Sequence, residues 1–137
     1  MTLDSITVEA LINAPIAEAW LAYTSPDHVM RWNFASDDWH CPTVSADLRD
    51  GGKFASRMEA KDGSMGFDFE GTYTKVIENE RIDYRFGDRQ ATVEFLPRAT
   101  KVLVRVSFDP ESEYPLDQQR SGWQAILDNY ARHASRR

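Results

Sequence analysis

The sequence predicts an α+β fold: a curved antiparallel sheet of about seven strands, two short helices after the first strand, and a long C-terminal helix across the concave face. Three observations predict it. Apolar residues alternate with period two at residues 6–12 and again, almost without interruption, from residue 43 to residue 109. Turn signals rich in Gly, Asp and Pro cut that second stretch into six segments. From residue 115 the apolar period lengthens to 3.6 and stays there to residue 134. A sheet with one apolar face needs a cover, and this last helix is the one element long enough to provide it.

The elements follow in order. "SITVEALI" places Ile6, Val8, Ala10 and Ile12 on one side of a strand, and Asn13 with Pro15 starts a helix running to about Tyr23. "SPDHVMRW" starts a second helix, with Ser25 as cap, Pro26 in the first turn and Asp27 at the positive end of the helix dipole. Val44, Ala46 and Leu48 alternate into "RDGGKF", a hairpin turn; Phe54 and Met58 share a face; "KDGSMG" turns again. Phe67, Phe69 and Tyr73 then share a face with Asp68, Glu70 and Thr72 opposite, the pattern of a sheet with one wet side. Ile82, Tyr84 and Phe86, then Ala91, Val93 and Phe95, then Val102, Val104, Val106 and Phe108 complete the meander, with "GDR" and "PRAT" as turns. Leu116, Trp123, Ile126, Leu127, Tyr130 and Ala134 form the stripe of the final helix.

Composition narrows the function classes. The 137 residues suffice for one domain, 1–137, and no linker, repeat or low-complexity segment divides them. A net charge of −6 with no internal Lys/Arg run argues against binding a nucleic-acid backbone. No apolar run reaches the roughly 20 residues of a membrane span, and the first ten residues lack the basic start and apolar stretch of a signal peptide, so a cytoplasmic protein is expected. Cys41, the one cysteine, agrees with a reducing compartment.

This element order, with "INAPIAEAWLAYTSPDHVMRW" at the front and "GWQAILDNYARHA" at the back, resembles the START-like (SRPBCC) superfamily, whose helix-grip fold wraps a curved sheet around a C-terminal helix. Within it the sequence is similar to the group named for the C-terminal domain of the activator of heat-shock-protein-90 ATPase, through "APIAEAW", Trp32, "GGKF", "FEGTY" and "GWQAILDNY". The resemblance implies a pocket for lipids, polyketides, hormones or aromatic compounds, in some members a cyclisation activity, and in the co-chaperone branch a chaperone partner.

Two sets of residues are candidates for a site. Trp32, Phe34, Trp39, Phe54, Met58, Phe69, Tyr73, Tyr84, Phe86, Trp123, Leu127 and Tyr130 lie on inward faces or on the segment after the second helix, and aromatics make up 12% of the chain. Rings with a polar tip suit a pocket wall, and Met58 adds an adaptable surface. The second set lies in "RWNFASDDWHCP", where Asp37, Asp38, His40 and Cys41 offer oxygen, nitrogen and sulfur donors. No second ligand pair of metal-site spacing accompanies them, with His28 and His133 on helices elsewhere, so neither a metal nor another cofactor is expected. Asp38 and His40 remain as an acid/base couple if residues 38 to 40 are extended. The expected function is binding of a hydrophobic or aromatic small molecule between the sheet and helix 115–134, with residues 31–42 at the entrance. The alternatives are a cyclase or hydrolase in the same cavity and a co-chaperone-like interaction module. A homodimer through an exposed strand edge is compatible with all three.

Overall fold

The computed structural model describes residues 4–136. Its elements are β1 (Ile6–Ile12), α1 (Ile16–Thr24), α2 (Pro26–Val29), β2 (Trp39–Ala46), β3 (Lys53–Ala60), β4 (Gly66–Ile77), β5 (Arg81–Phe86), β6 (Arg89–Arg98), β7 (Lys101–Phe108) and α3 (Leu116–Ala134). The seven strands form one antiparallel sheet in the order β1-β7-β6-β5-β4-β3-β2. The antiparallel sheet expected from the alternation, and the helix-grip architecture implied by the resemblance, are therefore present.

The local differences have local causes. Proline fixes its own φ and supplies no N–H, and Pro15 stands as the N-cap of α1, one residue before the first helical position. Ser25 occupies the N-cap of α2 without a side-chain capping bond, and α2 is a single turn that ends at Val29. β2 begins at Trp39, four residues before the predicted start, because a register shift between His40 and Thr43 hides the alternation. Before the shift Trp39 lies opposite Ala60; after it Val44 lies opposite Ser56. A similar shift between Tyr73 and Lys75 lets Tyr73 face Tyr84 and Val76 face Ile82, keeping apolar groups inward although the parity changes. Leu116, placed in the helix stripe by its spacing, is half exposed at the first turn of α3.

Gly71 of "FEGTY" is required by a close approach. It lies opposite Phe54, and a Cβ there would sit 2.9 Å from the Phe54 ring and against the Arg85 carbonyl. The absent side chain is the space in which Phe54 lies, packed 5.0 Å from Tyr73 and 5.2 Å from Tyr84.

The outer face carries ion pairs. Arg105 bonds Glu9, its neighbour across the β1–β7 ladder, at 2.6 Å. Arg57 reaches Asp68 across the β3–β4 ladder at 3.5 Å and Glu59 on its own strand at 2.9 Å. No helix among the described residues is long and apolar enough to cross a membrane.

The concave side divides into a packed half and a hollow half. Over β1, β7 and β6 the residues Ile12, Val93, Val102, Val104, Phe108 and Tyr130 are almost fully buried. α1 seals this half: Trp20 and Tyr23 pack edge-on against Phe95 at 5.1 and 5.7 Å, and the Tyr130 hydroxyl donates to the Ala19 carbonyl at 2.7 Å. The main helix contacts are α3 with β1 and α1, and α2 with β2, so β3, β4 and β5 are spanned by side chains alone.

Candidate functional site

Over that uncovered part of the sheet lies a cavity of about 310 Å³. This is the lower end of the range for small-molecule sites, and about twice the volume of an engineered cavity that holds benzene. Phe54, Ser56 and Met58 of β3, Phe67, Phe69 and Tyr73 of β4, and Ile82 and Tyr84 of β5 form its floor. Trp123, Ile126 and Leu127 of α3 form one wall; Tyr23, Val29, Trp32 and Asn33 form the other; Val44 and Ala46 of β2 close the side.

Eight of the residues singled out from the sequence therefore meet here: Trp32, Phe54, Met58, Phe69, Tyr73, Tyr84, Trp123 and Leu127. Trp123 stacks flat on Phe108 at 3.9 Å, which fixes the indole at the boundary between the packed and hollow halves. Trp32 is held by its indole N–H, which donates to the Ala22 carbonyl at 2.9 Å.

The other four lie off the cavity lining. Tyr130 is wholly buried, its hydroxyl held by Ala19, with Tyr23 and Trp32 packed on its ring. Phe86 packs behind Phe69, 5.3 Å away, with the Arg89 guanidinium 4.6 Å from its centroid. Trp39 pairs with Phe67 at 5.8 Å, and Phe67 in turn is half exposed at the rim. Phe34 contributes its carbonyl, which accepts from the Asn129 side chain at 2.6 Å and ties residues 31–38 to α3.

Asp38 and His40 do not form a couple. His40 is partnered by Glu59, its neighbour across the β2–β3 ladder, at 3.7 Å, and the two side chains are roughly two-fifths exposed. Glu59 shares the outer face with Arg57, so His40 points away from the cavity. Asp38 is exposed, and its carbonyl accepts from the Lys61 amide. Cys41 is buried, and that burial pushes its thiol up to about 11, which keeps it protonated and unreactive. Among the described residues no three His, Cys, Asp or Glu side chains converge as metal ligands. His28 and His133, which the sequence left apart, meet at 2.8 Å between Nδ1 and Nε2.

The polar side chains of the cavity lining are hydroxyls, the Asn33 carboxamide and one cation. Ser56 and Tyr84 are 5% and 8% exposed, and every buried side-chain nitrogen or oxygen among the described residues has a partner, so their unbonded hydroxyls open onto the cavity. Burial raises the phenols: Tyr73 is pushed up to about 12, and Tyr84 is raised by burial and then by Tyr23 and Tyr73, against a weaker opposing effect of Arg89. These phenols stay protonated and present donors. Among the described residues Arg89 is the only charged one in the lining. Sequence reasoning assigned it to the "GDR" turn, yet it belongs to the inward parity of Ala91, Val93 and Phe95. Ser56 was legible in the same way, between inward Phe54 and Met58.

A family model described as Activator of Hsp90 ATPase homolog 1-like protein matches residues 13–134. The chain belongs to this family. No curated protein matches this AHSA1-like sequence. Among solved structures it is similar to the AHSA1-like protein from Aeromonas hydrophila, with 42% identity over 94% of this chain and 90% of that one and a TM-score of 0.89. It is also similar to Chr148 from Cytophaga hutchinsonii, with 43% identity over 92% and 88% of the two chains and a TM-score of 0.82. With CalU16 from Micromonospora echinospora it shares the fold, at 21% identity over 96% and 76% of the chains and a TM-score of 0.70. The START-like fold of this AHSA1-like chain thus agrees with its topology.

Proposed function

We propose that this chain is a single START-like domain, residues 1–137, that binds a hydrophobic or aromatic small molecule in the cavity between β2–β5, α3 and the segment after α2. One observation carries the reading: about 310 Å³ of space is walled mainly by aromatic and aliphatic side chains, and among the described residues its lining contains no Asp, Glu, His, Lys or Cys. Such a wall favours burial of apolar ligand surface and holds no residue that accepts a proton near neutral pH. Binding is thereby favoured over a cyclase or hydrolase built on Asp38 and His40, and a co-chaperone role rests on the family's name alone. A buried, reduced Cys41 fits a cytoplasmic location. A homodimer through a strand edge would have to use β2, because Arg120 and Gln124 of α3 donate to the Thr7 and Glu9 carbonyls at the β1 edge, each at 2.9 Å. The β2 edge is interrupted by its register shift and by Pro42, which has no N–H to donate.

The test is a fluorescence titration with the neutral probe N-phenyl-1-naphthylamine, with native mass spectrometry against lipid and aromatic panels. The probe should brighten on the wild type. Tyr73→Ala and Ser56→Leu, the latter filling cavity space, should each weaken binding roughly tenfold while the protein stays folded by circular dichroism. Absence of binding by every compound would end the proposal.

A further inference from the structure

We propose that the ligand is an amphiphilic carboxylate, an aromatic or medium-chain acid, seated with its anionic end at Arg89 and the Tyr84 hydroxyl and its apolar body among Phe54, Phe69 and Trp123. This deepens the binding reading above and rests on it. Among the described residues Arg89 is the one charged residue of the lining, and a cation bordered by apolar walls, only loosely paired with Glu111 at 3.6 Å, attracts an anion more strongly than it would in water. Its side chain is 22% exposed and held in place. Nε donates to the Asp109 carbonyl at 2.9 Å, and the guanidinium lies over the Phe86 ring. A guanidinium has five N–H donors, and this bond uses one of them.

The nearest carboxylate stops short. Glu111 Oε2 lies 3.6 Å from Arg89 Nη1, beyond a hydrogen bond. The loop that carries Glu111 is clamped by buried Gln119, which accepts from the Glu111 amide and donates to the Glu111 and Tyr114 carbonyls. Arg89 therefore retains free donors next to the cavity, while Tyr84 adds a neutral O–H. The free N–H fork of Arg89, with the Tyr84 hydroxyl as a neutral donor of the same lining, matches the two oxygens of a monoanionic carboxylate.

Calorimetric titration with two matched pairs, decanoate against decanamide and 2-naphthoate against 2-naphthamide, separates charge from shape. Wild type should bind each acid roughly ten- to a hundredfold tighter than its amide. Arg89→Gln, which keeps a donor for Asp109, should bring acid and amide within about threefold of each other, chiefly by weakening the acids. Glu111→Gln, which removes the competing carboxylate, should tighten both acids. Equal binding of acids and amides by wild type, or an acid preference that survives Arg89→Gln, overturns the carboxylate assignment but leaves the apolar cavity standing. Failure of all four compounds, with the neutral probe also unbound, overturns both.

Discussion

Tyr130 and Tyr84 carry the same phenol into two different surroundings. The Tyr130 hydroxyl satisfies the Ala19 carbonyl inside the packed half, whereas the Tyr84 hydroxyl opens onto the cavity. Tyr130→Phe should therefore cost about 0.5–1.5 kcal/mol of folding stability, because a buried hydrogen bond is lost. Tyr84→Phe should stay within about 0.5 kcal/mol of wild type and act on acid binding instead; urea melts of the two variants check the contrast. The same pair shows how far the residues were legible. Alternation assigns a side chain to a face, and on that basis Tyr84, Phe69 and Trp123 were rightly directed inward. Depth along that face depends on where α1 lands, which no local pattern encodes, so Tyr130 was read as pocket wall although it is core. Arg89 was missed for the converse reason: a charged residue beside a Gly-Asp turn reads as solvated unless strand parity is extended through the turn.

At the scale of elements, two side-chain hydrogen bonds tie the 26–38 segment to α3. One is the bond from Asn129 to the Phe34 carbonyl; the other joins His28 of α2 to His133 of α3. The facing nitrogens hold one proton between them, one ring donating and the other accepting. Burial, then His28, then Arg31 hold His133 below its ordinary value of 6.5. The unfolded chain consequently takes up a proton that the folded chain resists. The stability associated with His133 is complete above pH 6.5 and is lost as pH falls through the lowered folded value. Thermal melts between pH 7.5 and 5 should show that decline in wild type and a flatter profile in His133→Gln. An unchanged slope in the variant would mean that other groups set the acid response. The contact was not legible in the sequence, because His28 and His133 lie on separate helices 105 residues apart, and only the return of the chain from β1 to β7 and α3 brings them together. The strands themselves were legible because each has one wet face; β2 was misplaced at its start because its register shift breaks the parity that defines a strand.

For the whole molecule, the division into a packed and a hollow half governs the response to ligand. The half built on β1, β7, β6 and α1 has its apolar groups already in mutual contact, so a ligand adds nothing there. The half built on β2–β5, the end of α2 and the middle of α3 has walls that lack partner atoms across the cavity, and an occupant restores those contacts. A compound that binds only the folded state at a hundred times its Kd adds about 2.7 kcal/mol of stability. For a chain of 137 residues that corresponds to a rise in Tm of roughly 8–11 °C. Hydrogen exchange should distribute the gain unevenly. With ligand bound, amides of β2, β3, β4 and residues 26–38 should exchange more slowly, while those of β1, β6 and β7, already protected by the packed core, should slow only to the extent that global unfolding is suppressed. Uniform slowing of every strand, with no excess at β2–β4, would mean that the ligand acts elsewhere on the fold. An excess confined to the hollow half would link the thermal shift to the cavity whose floor includes Tyr73 and Tyr84 and whose boundary is Trp123.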